Sequence, residues 1–278
     1  MKTEQECERA AAFYERGLRA LTAAKVPHLV GGGYAFAHYT HIHRPLKDLD
    51  IFVCERELPR ALEVLGDLGC RTEVTFPHWL GKAVQDDMLI DVIYSSGNGL
   101  ATVDDEWFAY APETTVLNQR VKLIPAEEML WSKAFVIERE RCDAADVVHL
   151  LKLSPQLDWQ RLVRRFGPHY RVLYAHMVLF GFVYPSERTL LPFEVVEQFA
   201  RRMADEQRRP DARRVCQGTL LSRAQYLADV TQWGFEDVRL DSTVHMTTEQ
   251  IAQWTRAIPE EIRSDDYIEP YNQVGRAG

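Results

Sequence analysis

The chain has no long uninterrupted apolar run. Its longest, Val172 to Tyr184, is broken by His176 and Gly181 and is too short to span a bilayer, so no membrane partner is expected. The opening MKTEQECERAAAFYERG lacks the apolar core of a signal peptide. Cysteine is sparse: Cys7, Cys54, Cys70, Cys142 and Cys216 are odd in number, scattered and without any C-x-x-C. That excludes a disulfide frame and a cysteine zinc site, and it points to reduced thiols in a cytoplasm. A positive excess is missing too. The net charge is −8, which argues against a general nucleic-acid binder. Internal repeats and low-complexity segments are absent.

What is present is an ordinary globular composition over 278 residues, enough for one large domain or two modest ones. Charge is uneven along the chain. Between Pro155 and Ala224 there are twelve Arg, no Lys and seven Asp or Glu, a local balance of +5. Such a segment reads either as solvated helical faces or as a surface for a polyanionic acceptor.

One stretch stands out, LVGGGYAFAHYTHIHRPLKDLDIFV from Leu29 to Val53. A short apolar strand runs into Gly31, Gly32 and Gly33, then a small-residue helical segment, then a polar loop with Arg44 and Lys47. It closes on Asp48-Leu49-Asp50 and a second apolar strand. Alternation along a strand puts Asp48 and Asp50 on one face and Leu49 and Ile51 on the other, toward a core. Paired carboxylates repel unless a cation sits between them, and hard oxygen donors suit magnesium or manganese. Glycines let a backbone approach a ligand, and the following helix starts with unpaired N–H groups. Together these suggest a phosphate site beside a metal, hence a nucleoside triphosphate. The stretch is neither a Walker loop nor a dinucleotide fingerprint.

Gly-Gly, fifteen residues and then Asp-x-Asp on a strand resembles the nucleotidyltransferase superfamily with the DNA polymerase β-type core. Within it the sequence is most similar to the AbiEii-like and minimal nucleotidyltransferases of prokaryotes, many of them toxin or resistance proteins. The resemblance covers roughly residues 20 to 150. It implies a third carboxylate on a later strand, and Asp91 in Met88 to Tyr94 supplies one. It also implies a Lys, Arg and Asp-x-x-Asp set after the core, matched in kind by Lys133, Arg139, Arg141 and Asp143-Ala144-Ala145-Asp146. Asp48, Asp50 and Asp91 are thus the expected catalytic and metal-binding residues. Gly31, Gly32, Gly33, Arg44, Lys47, Lys133, Arg141 and Asp146 are the expected nucleotide contacts. Of the glycines, Gly32 and Gly33 are favoured as the phosphate contacts. The implied activity is transfer of a nucleoside monophosphate to a hydroxyl with Mg2+ or Mn2+ and release of pyrophosphate. The acceptor stays open among an RNA such as a tRNA end, a small molecule and a protein side chain. The alternative is a non-catalytic nucleotide-binding module of a toxin–antitoxin or regulatory complex.

The fold class expected is α/β (α+β): a mixed-sheet nucleotidyltransferase core over 1–153, then an all-helical C-terminal domain over 154–278 with an acidic tail after Asp241. Periodicity predicts helices over 4–25, 57–68, 125–141 and 143–153, and strands over 28–30, 71–76, 81–85, 88–94 and 114–123. A single helical turn is expected over 106–110. Further helices are expected over 158–166, 170–183, 193–207 and 222–233, with one over 248–257 capped at Thr247. Lys133 and Arg141, eight apart, should share one face of the 125–141 helix. Lys133 sits among Leu130, Trp131, Ala134 and Phe135, where a bare cation needs a partner; Asp146 is its expected orienting partner, and Asp143 reads as an N-cap. His38, His41 and His43 invite a zinc reading, but their spacing is loose and no fourth ligand is near. His78 and Trp79 read as core packing or as a platform for a nucleobase.

Overall fold

The computed structural model describes residues 4–152, 156–209, 211–241, 244 and 246–258. The expected end of a helix at Ser154-Pro155 and most of the acidic tail lie outside them. The chain opens with α1 (Glu4–Ala23), whose Phe13, Tyr14, Leu18 and Leu21 fall on one face and are buried. The helix ends before Pro27, where Lys25 takes a left-handed φ of 55°. Strand β1 (Leu29–Val30) and helix α2 (Gly32–Thr40) follow, then β2 (Leu49–Phe52). Helix α3 (Leu58–Asp67) comes next, stopped just beyond its end at Gly69 with φ 87°. Strands β3 (Arg71–Phe76), β4 (Leu80–Gln85) and β5 (Met88–Ile93) complete one sheet.

That sheet has the order β1-β2-β5-β4-β3. It is mixed: β2 pairs parallel with β5, and the other neighbours pair antiparallel. Leu49 and Ile51 on β2 and Ile90 and Val92 on β5 are fully buried, while Asp50 and Asp91 alternate to the other face. Helices α1 and α3 cover the core face.

After α4 (Asp105–Tyr110) the expected strand 114–123 is a hairpin, β6 (Glu113–Val116) with β7 (Gln119–Lys122). Leu117 and Asn118 both take positive φ, 48° and 61°, the backbone of a two-residue hairpin turn. Helix α5 (Ala126–Ala134) is shorter than expected, and residues 136–142 turn back so that Ile137 bridges Cys142. Then come α6 (Ala144–Lys152), α7 (Trp159–Phe166), α8 (Tyr170–Val183) and α9 (Phe193–Gln207).

The C-terminal part is not all helical. Strands β8 (Val215–Cys216) and β9 (Glu236–Asp237) pair in parallel. Of the expected helix 222–233 only α10 (Leu227–Thr231) forms. Helix α11 (Thr248–Arg256) is held by a capping box between Thr247 and Gln250. One apolar cluster runs without a break from Ala10 to Met246.

Charged side chains tie the C-terminal helices to the core. Glu127 and Glu128, in the first turn of α5, are 6% and 0% exposed. Arg161 pairs with Glu127, and Arg165 reaches Glu128 at 3.0 Å and Asp104 at 2.6 Å. The Arg-rich stretch is largely knit into such pairs: Arg171 and Arg202 meet Glu206, and Arg201 meets Glu197. The five cysteines are free thiols, with Cys54, Cys70 and Cys216 buried. Among the described residues no helix is long and apolar enough to cross a membrane.

Candidate active site

Strand β1 delivers the chain to Gly31, whose N–H donates to Asp50 O at 2.9 Å. The turn into α2 then passes directly over the Asp50 side chain. Gly32 has φ +52°, and a Cβ there would lie 1.6 Å from Asp50 Oδ2. Only glycine takes this backbone without strain and leaves room for the carboxylate. The first-turn N–H groups of α2 therefore open beside Asp50, and no acidic side chain occupies that turn.

Asp50 and Asp91 are Cα partners across the parallel β2–β5 pair. Asp91 in turn faces Lys82 on β4, with Nζ 3.7 Å from its Oδ1. That oxygen is buried and has no hydrogen-bond partner. Asp48 and Asp91 both act on Asp50. Burial first, then repulsion from Asp48 and Asp91, pushes the Asp50 carboxyl up to about 7, with Arg141 and Lys133 pulling back. Asp91 is also raised, chiefly by burial and in part by Asp48, against the pull of Lys82.

A cavity of about 290 Å3 opens above the pair. It is lined by Gly32, Gly33, Arg44, Lys47, Asp48, Asp50, Lys133, Arg141, Asp143 and Asp146, with Phe36, Ile42, Pro45 and Leu46 as its apolar wall. Of the nucleotide contacts expected from sequence, only Gly31 is outside this lining; its Cα packs against the Phe52 ring. Asp91 lies beside Asp50 rather than on the wall.

The cationic side is built differently from the sequence expectation. Lys133, near the end of α5, donates to Asp143 Oδ2 at 2.8 Å and to Asp146 Oδ2 at 2.9 Å. Arg141 does not share its helix; it comes from the 136–142 turn and donates to Asp143 at 2.9 and 3.2 Å. Arg44 pairs with Asp146 at 2.6 Å and lies over the Phe36 ring, 4.6 Å from its centroid. Asp143 is thus a central acceptor rather than only a cap. Burial opposes its ionisation, but the Arg141 hydrogen bond and the Lys133 charge outweigh this and hold its carboxyl low.

A residue outside the expected set also reaches the site. Tyr14 of α1 donates its OH to Lys47 O at 3.1 Å and fixes the loop that presents Asp48. Its phenol is pushed up to about 12 by burial and by the Asp48 charge. The buried, amphipathic spacing of α1 was legible; its reach to the loop was not.

Two other expectations resolve away from the cavity. Trp79 stacks on Phe76 at 5.8 Å and His78 lies 5.3 Å from Trp254, a packing cluster just past the end of β5, where Tyr94 N–H donates to Trp79 O. His38, His41 and His43 do not form a zinc set. Among the described residues, no three His, Cys, Asp or Glu side chains converge closely enough to hold an ion. What fits a hard divalent cation is the donor chemistry: Asp50 and Asp91 side by side on paired strands, Asp48 repelling both, and an Asp91 oxygen that is buried without a hydrogen bond.

No family model and no curated protein matches the chain. Among solved structures it is similar to the antibiotic-resistance factor ANT(2'')-Ia in solution, at 17% identity over 71% of this chain and 95% of that one, with TM-score 0.39. It is similar to the lincosamide antibiotic adenylyltransferase LnuA, at 17% identity over 55% of this chain and 98% of that one, TM-score 0.38. A third is JHP933 from Helicobacter pylori, at 10% identity over 75% and 99%, TM-score 0.38. Overlap at this level is loose, and the chemistry has to be argued from the site.

Proposed function

We propose that the chain is a nucleotidyltransferase, moving a nucleoside monophosphate from a triphosphate to a hydroxyl acceptor and releasing pyrophosphate. The observation that carries this is Asp50 held opposite Asp91 while the glycine turn at Gly32 opens α2 directly over the same carboxylate. Anion-binding backbone and a carboxylate cluster rarely meet unless a cation and a polyphosphate belong between them.

Asp48 and Asp50, with Asp91, would hold Mg2+ or Mn2+, which when bound would neutralise charge developing on the phosphates. The N–H groups at the start of α2 and the Lys133, Arg141 and Arg44 cations would bind and orient the triphosphate. Phe36, Ile42 and Leu46 offer an apolar wall for the nucleoside. Asp91, raised by burial, would accept the proton of the attacking hydroxyl. The hydroxyl oxygen bonds to the α-phosphorus as the bond to the β-phosphate oxygen breaks, and pyrophosphate leaves.

The acceptor belongs to the proposal as a class only. The net charge of −8 and the internal pairing of the Arg-rich segment favour a small or cationic hydroxyl compound over an RNA such as the tRNA end suggested by the AbiEii-like sequence features. A second reading, a nucleotide-binding module without transfer, is favoured by the carboxylates not converging as placed. Pyrophosphate release separates them. Each of the four ribonucleoside triphosphates is tested with magnesium, alone, with total tRNA and with an aminoglycoside panel. Release with one acceptor class, lost in Asp48→Ala, supports transfer; triphosphate binding with no release under any condition supports the binding module.

A further inference from the structure

The turn that carries Arg141 into the cavity closes where Ile137 bridges Cys142. Ile137, Arg139, Glu140, Arg141 and Cys142 are exposed, and its own closure is two backbone bonds, Glu138 N–H to Arg141 O at 2.8 Å and Asp143 N–H to Val136 O at 2.9 Å. Glu138 is the exception, with a side chain only 17% exposed. One of its oxygens accepts from Ser222 Oγ at 2.6 Å, and the other from Arg223 N–H at 3.2 Å. Beside it, Ile137 N–H donates to Leu221 O at 3.1 Å.

The gripping segment is itself fixed. Ser222 is 1% exposed, as is Thr219. Asn98 Nδ2 donates to Leu220 O at 2.8 Å, and Thr219 Oγ1 donates to Asp237 at 3.0 Å. The Arg223 guanidinium lies over the Trp254 ring of α11. A fixed C-terminal segment therefore meets a mostly exposed turn at one carboxylate.

We infer that Glu138 is a positioning residue through which residues 221–223 set the 136–142 turn, and with it Arg141 and Asp143, over the cavity. Glu138 does not line the cavity and touches no substrate. The role rests on the transferase reading only for what Arg141 binds. The loss of a buried acceptor for Ser222 and Arg223 loosens the turn at a buried side-chain anchor, so Arg141 spends more of its time away from the phosphate position.

The test uses Glu138→Ala, Ser222→Ala and the conservative Glu138→Gln in the full chain, with far-UV circular dichroism and thermal unfolding to establish that each is folded. Amide hydrogen exchange of the free protein is read over residues 135–143. Affinity for ATP, GTP, CTP and UTP with magnesium is read by calorimetry. Glu138→Ala should speed exchange in the turn by tenfold or more while the sheet is unchanged, and should weaken triphosphate binding by about tenfold. Glu138→Gln, which keeps an acceptor for Ser222, should recover most of both. The double variant Glu138→Ala/Arg141→Ala should lose clearly less affinity than the two single losses summed, because the first change acts in part through the second residue. Unchanged exchange in the turn, or additive losses in the double variant, overturns the inference. Failure of the wild type to bind any triphosphate would instead remove the transferase reading, and the exchange arm still decides the role of Glu138.

Discussion

Asp50 and Asp91 face each other as Cα partners across the sheet's one parallel pairing, on the face turned away from the core. Two strands that are 41 positions apart in sequence are thereby made to present like charges side by side. That arrangement costs free energy in the isolated chain, and most of the expected behaviour of the site follows from it.

The Asp50 carboxyl is raised to about 7 against an ordinary value near 3.8 in the unfolded chain. The native state then binds more protons than the unfolded state between these values. Stability contributed by the protonated form is present at low pH and is lost as pH rises through about 7. Without divalent cations, Asp50→Asn should raise the melting temperature at pH 8, by at most roughly 4 kcal/mol in stability. The difference should shrink toward pH 4. Thermal unfolding at pH 4, 6 and 8 in chelator checks it, and a wild type equally stable at all three relative to the variant would contradict it. Magnesium should raise the wild-type melting temperature at pH 8 and leave Asp50→Asn unmoved.

Gly32→Ala puts a methyl group where Asp50 Oδ2 lies, at a backbone angle of +52°. Strain and displacement together should cost about 2–3 kcal/mol and abolish triphosphate binding. Urea unfolding with nucleotide titration measures both; a variant with native affinity would show that the turn does not contact the ligand.

Lys133 bridges Asp143 and Asp146, whose side chains are only 10% and 11% exposed. Lys133→Met removes one cation from two buried carboxylates and should destabilise the fold by about 3 kcal/mol. Adding Asp146→Asn should return part of that. Equal stability of the single and double variants would mean that Arg44 and Arg141 suffice.

A chain cut after residue 153 loses Arg161 and Arg165 and strands Glu127 and Glu128, which are almost wholly buried. It should show no cooperative thermal transition, because uncompensated buried charge costs several kcal/mol per ion. A sharp transition in the cut chain would establish the first half as self-sufficient.

The sheet was legible because its signals are local. Alternation fixed which residues of β2 face inward, and glycines marked the turn over Asp50; on β5, Asp91 stood out as the one charge in an apolar run, but its neighbours did not decide which way it faces. Residues 135–142 were harder to read: Glu138 to Arg141 are good helix formers, and the bonds that compete with a helix there run to residues 221–223. The Leu117-Asn118 turn was signalled only by an asparagine inside an otherwise strand-like run. Asp143 read as a cap because its two cationic partners, Lys133 and Arg141, meet it only after the turn has formed. Nothing near Glu127 and Glu128 in sequence foretold the arginines of α7 that pair with them.

The Glu138–Ser222 contact joins residues 84 positions apart, so it has a consequence during synthesis. At about 5–20 residues per second, roughly 4 to 17 s separate the appearance of the turn from that of its anchor. The sheet and its carboxylates can assemble on the ribosome well before the arginine over them is held in place. Arg141 and Asp143 thus take their places over the cavity only once residue 222 has emerged.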